Sequence, residues 1–504
     1  MEAPCEKSGA GEWQDMPRQD DRPNILFIMS DDHAAHAMSC YGSCINRTPN
    51  LDRIADEGMR FDNCFCTNSI CTPSRAAILT GTYNHVNGVT TLATKMDNRL
   101  QTFPKLLRQA GYQTAVFGKW HLGVGPRHCP AGFDDWAVLP GQGLYHNPDF
   151  IFAGPDGGTR RAVQGYVTDI ITDLCLNWLR KRDRSRPFMM LYHHKAPHRA
   201  WEPDEKHAGL YVNEEIPEPE TLFDTYEHRA SAARLARMRV GPHSVREDVD
   251  CEINYHLPEA DLRRWAYQRY IKKYLRVVAS VDDNVGRVLD FLDAEGLAEN
   301  TIVIYTSDQG FFLGDHGWFD KRFMYEESLR MPFVIRWPRE IRAGAVNDDI
   351  VTNVDFAPTF LDAAGVDVPE DMQGDSIRPL LNGATPPGWQ TSLYYRYWMH
   401  LAHHFVCSHY GVRTKRHKLI YYYADGCGQR GTPGQEAYGT FRAAVGQDEN
   451  EEPGREWELF DLSEDPHEMN NIHHDPAYAD VVRELTGELA RLQQQVGDEP
   501  YSAP

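Results

Sequence analysis

"NILFIMSDDH", residues 24–33, is an apolar run that ends in two carboxylates and an imidazole. A run of that length with no alternation of polar residues is the pattern of a strand buried on both faces, as in parallel sheets covered by helices. Four more stretches read the same way: "QTAVFG" (113–118), "PFMMLY" (187–192), "NTIVIYT" (300–306) and "MPFVIRW" (331–337). Between them, amphipathic periodicity predicts helices at 50–57, 102–110, 166–181 and 266–295. Alternating strands and helices predict an α/β fold, a large, mostly parallel sheet sandwiched by helices.

The residues just after these strands carry the chemistry. The first run ends in Asp31, Asp32 and His33; "QTAVFG" is followed by Lys119 and His121; "PFMMLY" by His193, His194, Lys195 and His198; "NTIVIYT" by Asp308 and Gln309. Open α/β sheets bind ligands outside the carboxyl ends of their strands, so four strands deliver these groups to one edge. Asp31, Asp32, Asp308 and the amide oxygen of Gln309 make a hard, oxygen-rich set suited to calcium or magnesium rather than zinc. Carboxylates so gathered need a cation, and Lys119, His121, His198 and Arg75 need an anion opposite them. A divalent cation with the ester of an oxyanion satisfies both.

"SICTPSRAAILTG", residues 69–81, reads as a helix with Pro73 in its first turn and Gly81 as its stop. Cys71 then sits at the positive end of the helix dipole with Arg75 one turn further in, a place that favours anions.

Composition narrows the function classes. Of 504 residues, 73 are acidic and 52 basic, a net charge of −21, which argues against nucleic acid and anionic membrane surfaces as general partners. No stretch approaches the ~20 apolar residues that span a bilayer. The N-terminal residues lack the charged start and apolar core of a signal peptide, so a cytoplasmic location is expected unless a signal has been removed. Eleven cysteines without CxxC pairs indicate neither a disulfide framework nor a zinc cage. The histidine-rich "HLAHHFVCSHY" at 400–410 is the one other stretch with metal-binding potential. Oligomerisation is left open.

The chain divides into a tail (1–21), a large catalytic unit (22–385) and a smaller C-terminal α+β subdomain (390–504) after the linker-like "GATPPGWQ" at 383–390. Residues 199–262, acidic and spotted with proline, read as an irregular insertion rather than a core layer. The C-terminal unit is expected to hold antiparallel strands at "SLYYRYW", "YGVRTKRHKLIYYYA" and "WELFDL", and a helix near 477–495.

"CTPSRAAILTG" resembles the sulfatase signature CxPSRxxxxTG, and "GYQTAVFGKWHLG" (111–123) resembles that family's second signature. "RPNILFIMSDD", "KAPHRAW", "TSDQGFFLGDHGWFDKRFMYEESLRMPFVIRWP" and "NVDFAPTFLDAAGV" are similar to sulfatase segments in the same order, from about residue 22 to about 475. The resemblance is to the type I, formylglycine-dependent sulfatases of the alkaline phosphatase-like superfamily, in motif style closest to bacterial carbohydrate sulfatases.

The resemblance implies that Cys71 is oxidised to formylglycine by a dedicated generating enzyme, and that its hydrate attacks the sulfur of a sulfate ester. It implies a divalent cation, calcium first and magnesium or manganese next, held by Asp31, Asp32, Asp308, Gln309 and the modified Cys71. Arg75 is implied to stabilise the hydrate, Lys119 and Lys321 to hold sulfate oxygens, His198 to protonate the leaving alcohol and His121 to take the proton that lets sulfate leave. Arg322 is a neighbouring rival to Lys321. His194 and Lys195 are second candidates, and His33 and His316 weaker ones. Gln309 stands where asparagine or histidine is common. His403, His404, His409 and Arg413 are expected in a pocket wall. The expected substrate is a sulfated small molecule or glycan. A phosphonate monoester or phosphodiester hydrolase of the same chemistry, and a sulfated-glycan binding protein whose cysteine is never modified, are the alternatives.

Overall fold

The computed structural model describes residues 21–423 and 455–500; the expected N-terminal tail lies almost wholly outside them. Strands of the large sheet are β1 (Asn24–Ser30), β2 (Met59–Phe61), β3 (Gln113–Lys119), β4 (Asp135–Leu139), β5 (Asp149–Phe152), β6 (Thr159–Ala162), β7 (Phe188–His193), β8 (Thr301–Ser307), β9 (Phe333–Arg336) and β10 (Ala345–Asn347). Their order across the sheet is β10-β2-β9-β8-β1-β7-β3-β4-β5-β6. The central five, β8-β1-β7-β3-β4, are all parallel. The apolar runs account for this: all of β3, β7 and β8, and all of β1 after Asn24, are buried, so both faces of each strand need cover.

Helices supply that cover: α1 (Pro49–Asp56), α2 (Cys71–Thr80), α3 (Phe103–Gln109), α4 (Val167–Lys181), α5 (Glu259–Ala294) and α6 (Phe356–Ala363). Phe27 of β1 packs edge-on against Phe356 and Phe360, which puts α6, with α2 and α3 beside it, on one face. Ile28 points the other way, and its registered neighbour Tyr192 is hydrogen-bonded to Thr172 of α4 at 2.5 Å. The second layer therefore holds α4, packed with α5 and α1.

"MPFVIRW", expected as another parallel strand, runs antiparallel to β8. The chain leaves β8 at the carboxyl edge, stays there through residues 308–332 as a loop and a two-stranded hairpin, and enters β9 from that same edge. A parallel return needs a crossover to the far edge, and none intervenes. The helix expected at 266–295 is longer, beginning at Glu259 behind Pro258. Residues 199–258 are mostly irregular, with helical turns at Ser231–Leu235 and Arg246–Val249. They are nonetheless part of the packed interior, since Trp201, Leu222, Tyr226 and Met238 are buried.

A four-stranded antiparallel sheet of β11 (Ser392–Tyr397), β12 (His409–Thr414), β13 (His417–Tyr422) and β14 (Glu456–Asp461) comes next, with α7 (Ala479–Val496) against it. Buried ion pairs join it to the large unit: Arg413 and Lys418 bind Glu326 at 3.0 and 2.9 Å, and Glu468, itself paired with Lys418 at 2.7 Å, accepts from the Glu326 N–H at 2.7 Å.

Candidate active site

The carboxyl edge of the parallel strands gathers the polar residues. Gly118 shows how tightly: a Cβ there would lie 1.8 Å from the carbonyl oxygen of His193, so only glycine lets β3 lie against β7 immediately before Lys119. Asp32, just past β1, has φ of 69°, a left-handed conformation that turns its carboxylate back toward β8. Its N–H donates to Asp308 Oδ1 at 3.2 Å, and its carbonyl accepts the Tyr274 hydroxyl of α5 at 2.8 Å.

Cys71 opens α2, all ten residues of which are buried, and Gly81 ends the helix in the left-handed conformation. The Cys71 Sγ lies 3.4 Å from Asp31 Oδ1. Burial, above all, pushes its thiol up to about 12, with Lys321 acting in the opposite sense. Such a thiol is protonated at neutral pH and is a weak nucleophile as it stands.

Each aspartate of the site has its own cation. Asp31 pairs with Lys119, Asp32 with Lys321 at 2.5 Å, and Asp308 with Arg75 at 2.9 Å. Arg75 also donates to the Lys119 carbonyl at 2.7 Å, tying α2 to β3. Burial works against the Lys321 ammonium, but Asp32, Cys71 and Asp320 hold its pKa above the ordinary value.

Asp31, Asp32 and Asp308 offer carboxylate oxygens within 4.8 Å of one another. Gln309 donates Nε2–H to Asp32 at 2.5 Å and leaves its buried Oε1 without a hydrogen-bond partner. Three carboxylates with an unsatisfied carbonyl oxygen fit a hard divalent cation. The histidine-rich stretch contributes no such group among the described residues.

His198 lies with Cys71 and Asp31 in one group of ligand atoms within 4.8 Å, its Nε2 3.8 Å from Asp32. Its Nδ1 is 2.7 Å from the Arg199 carbonyl, which fixes Nδ1 as a donor and turns Nε2 toward the cysteine. His121, also in the left-handed region at φ 57°, is anchored by the Thr72 hydroxyl, 3.0 Å from its carbonyl. Burial, then Lys119, holds both imidazoles well below their ordinary pKa. The structure thus brings Cys71, Arg75, Lys119, His121, His198, Lys321 and the four oxygen ligands to one edge.

Other candidates separate from it. Arg322 turns to Asp320, 2.9 Å away, rather than to the Asp32 carboxylate. His33 is bound to Tyr305 at 2.5 Å and His194 packs on the Tyr192 ring. His316 is fully buried among Asp224, Arg229 and Trp318, a structural place. Lys195 is the exception and stays with the site: its buried ammonium donates at 3.1 Å to the Arg199 carbonyl that also holds His198 Nδ1, lies 4.5 Å from the centre of the Tyr145 ring, and has its pKa pushed down to about 8 by burial. Two of the expected wall residues are corrected. His409 is stacked among Phe323, Tyr395 and Tyr397, and Arg413 is spent on Glu326, so both serve the junction with the C-terminal sheet. His404 does reach the edge, 3.2 Å from Asp320, and His403 is its exposed neighbour.

Three contributors lie outside every motif that the sequence displays. The loop 140–148 brings the Gln142 amide oxygen to the Lys119 ammonium, and its Tyr145 donates to the His198 carbonyl at 2.5 Å. Tyr395 of β11 accepts from the Ser69 N–H at 3.1 Å and donates to the Arg322 carbonyl at 2.6 Å, bridging the segments of Cys71 and Lys321. The doubled glycines around Gln142 in "PGQGLYHNP" were the available signal for the first two.

A family model described as Sulfatase matches residues 23–366. The chain belongs to the sulfatase family. A second model, described as N-sulphoglucosamine sulphohydrolase, C-terminal, matches residues 314–428 and 451–495 of this sulfatase. It is 44% identical to an N-acetylglucosamine-6-O-sulfatase of Bacteroides thetaiotaomicron, over 95% of this chain and 87% of that one. A solved structure of a protein with its substrate D-glucosamine-2-N,6-O-disulfate matches with TM-score 0.83 and 43% identity, over 95% of this chain and 99% of that one. A phosphonate monoester hydrolase of Agrobacterium radiobacter shares the fold, with TM-score 0.71 at 21% identity, over 94% of this chain and 96% of that one. Members of this alkaline phosphatase-like family hydrolyse sulfate esters with a metal ion and a formylglycine.

Proposed function

We propose that this sulfatase removes the 6-sulfate of a glucosamine-type sugar, using formylglycine made from Cys71 and a calcium ion held by Asp31, Asp32, Asp308 and Gln309. The observation that carries the site assignment is the place of Cys71, against Asp31 and His198 at the centre of three carboxylates that are each paired with a cation. Similarity to a 6-O-sulfatase over nearly the whole chain supports the choice of sugar. Calcium and the hydrated aldehyde supply charge neutralisation and an activated hydroxyl on the carbon that carries the thiol in the encoded residue.

The protein's own groups do the rest. Lys119 and Lys321 face sulfate oxygens and stabilise the charge that grows on them. His198, with Nδ1–H held by a carbonyl, presents Nε2 to the bridging oxygen; the anionic ester and its carboxylate neighbour Asp32 favour a second proton on Nε2, and that proton passes to the departing sugar alcohol and leaves the imidazole neutral. His121 accepts the proton whose removal expels sulfate. Asp320 and Arg322, both held at positive φ (78° and 94°) and paired with each other, flank Lys321 with His404 beyond, and fix its place.

The test uses protein made with a formylglycine-generating enzyme, conversion being verified by a mass loss of about 18 Da on the Cys71 peptide. A panel of defined sulfated sugars and a phosphonate monoester is then assayed for kcat/KM. N-acetylglucosamine-6-sulfate and N-sulfoglucosamine-6-sulfate are expected to lead. Faster turnover of a 2- or 4-sulfate, or of the phosphonate, overturns the assignment.

A further inference from the structure

Helix α5 has two unlike faces over the same turns. At 100° per residue, Tyr267, Tyr270 and Tyr274 point inward, where all three are buried and Tyr274 holds both the Ala34 N–H and the Asp32 carbonyl. Trp265, Arg269, Lys272 and Arg276 recur at i, i+4, i+7 and i+11, a stripe on the opposite side about 16 Å long. This stripe floors a groove of about 640 Å³ whose far wall is Val212, Val249 and Asp250 from the irregular segment 199–258.

The charge of this groove is against the trend of the chain, whose net charge is −21. Its lining includes five cations and a single carboxylate, Asp250, which Lys273 takes up at 2.5 Å. Arg264 faces Glu218 at 3.4 Å. No cation of the stripe is in an ion pair among the described residues, although Asp250 lies near enough to act on Arg276. Arg269 and Arg276 donate to the carbonyls of Val249 and Leu210, at 3.3 and 2.8 Å, and neither carbonyl carries a formal charge. Lys272 is in no ion pair among the described residues. Three cations held in a row beside the half-buried Trp265 and the exposed Val212 combine anion recognition with apolar contact surface.

We infer that this groove binds a run of a sulfated glycan chain, its sulfates on Arg269, Lys272 and Arg276 and the C–H faces of its sugar rings on Trp265 and Val212. The inference rests on the proposed substrate being a sulfated carbohydrate. The groove is separated from Asp32 by the thickness of α5, so it holds a different stretch of polymer from the one being cut. It tethers long substrates and raises the local concentration of their sulfate esters. Short substrates gain nothing from it.

The experiment compares wild type with Arg269→Gln/Lys272→Gln/Arg276→Gln and with the single variant Lys272→Gln, which keeps the test readable if the triple variant folds poorly. The probe is a size-fractionated heparin oligosaccharide, with its desulfated counterpart and a duplex DNA of equal length as controls. Affinity is measured across a range of salt, and turnover is measured on a monosaccharide 6-sulfate. The triple variant is expected to bind heparin at least about tenfold more weakly, with a shallower salt dependence, and Lys272→Gln to fall in between. Monosaccharide turnover and melting temperature stay at wild-type values. Unchanged heparin affinity in both variants overturns the inference, as does equally tight, stripe-dependent binding of DNA or desulfated chain. Wild type that binds heparin through the stripe yet turns over no monosaccharide 6-sulfate counts against the proposed substrate instead.

Discussion

Replacing Tyr395 by phenylalanine removes one oxygen atom from a buried side chain that lies outside the large sheet. That hydroxyl accepts from the Ser69 N–H at 3.1 Å and donates to the Arg322 carbonyl at 2.6 Å. The ring is stacked on His409 and stays in place. The change therefore strands one buried donor and one buried acceptor, each costing about 1–3 kcal/mol, so the expected loss of stability is about 2–6 kcal/mol. The two stranded groups belong to the segments of Cys71 and Lys321, which lose their common anchor. Catalytic groups displaced by a fraction of an ångström cost about tenfold or more in rate. Denaturant unfolding and kcat/KM on a sulfated sugar, normalised to formylglycine content, measure the two effects. Tyr395→Phe with wild-type stability and wild-type kcat/KM would refute the idea that the C-terminal sheet positions the catalytic segments.

Asp31→Ala leaves the fully buried Lys119 without its carboxylate and removes one ligand from the oxygen set; stability is expected to fall by about 3–5 kcal/mol and activity to vanish, with chelation of the wild type giving a smaller loss of melting temperature and the same loss of activity. Full activity in metal-stripped protein checked by elemental analysis contradicts this. His198→Ala is expected to slow hydrolysis of sugar sulfates about 10²–10⁴-fold while sparing an activated aryl sulfate, whose phenolate leaves without a proton; equal losses on both would remove His198 as the acid. His36, 3.2 Å from Asp315, has its pKa raised: burial opposes the charge, but Asp315, with Glu327 behind it, outweighs burial and the repulsion of Arg330. Because the folded-state pKa is the higher one, this pair's stabilisation is complete below about pH 6.5 and is lost as pH rises through the folded value. His36→Gln is expected to flatten the melting temperature over that interval, and an unchanged pH profile would count against the pair.

Much of the edge chemistry was legible because it depends on local pattern. Buried strands declare themselves by unbroken apolar runs, and residues directly after a strand in the chain also lie at its carboxyl end in space. That is how Asp31, Lys119, His198 and Asp308 arrive together. The reversal of β9 was not legible, since an apolar run has no arrow; its direction is set by the edge at which the preceding loop ends. His409 and Arg413 looked like pocket residues because histidine and arginine often are, yet one is wrapped in aromatic rings and the other neutralises Glu326, partners that only the tertiary structure supplies. Gln142 acts through one hydrogen bond and Tyr395 through two, all to residues distant in sequence, and no periodicity announces such contacts.

The central pairing of β1 with β8 joins Asn24 to Thr301, and closing a loop of 277 residues costs about 5 kcal/mol of chain entropy before the contact is rewarded. The middle of the sheet is therefore among the last parts of this molecule to form, and it cannot form at all until β8 has left the ribosome. Synthesis of the stretch from Cys71 to Ser307 takes roughly 10–50 s at ordinary elongation rates. Until then Asp308 is not there to bind Arg75, and α2 has no lid of polar partners over its first turn. Afterwards Cys71 is only 1% exposed. Any enzyme that must reach this side chain has a window set by the clock of translation.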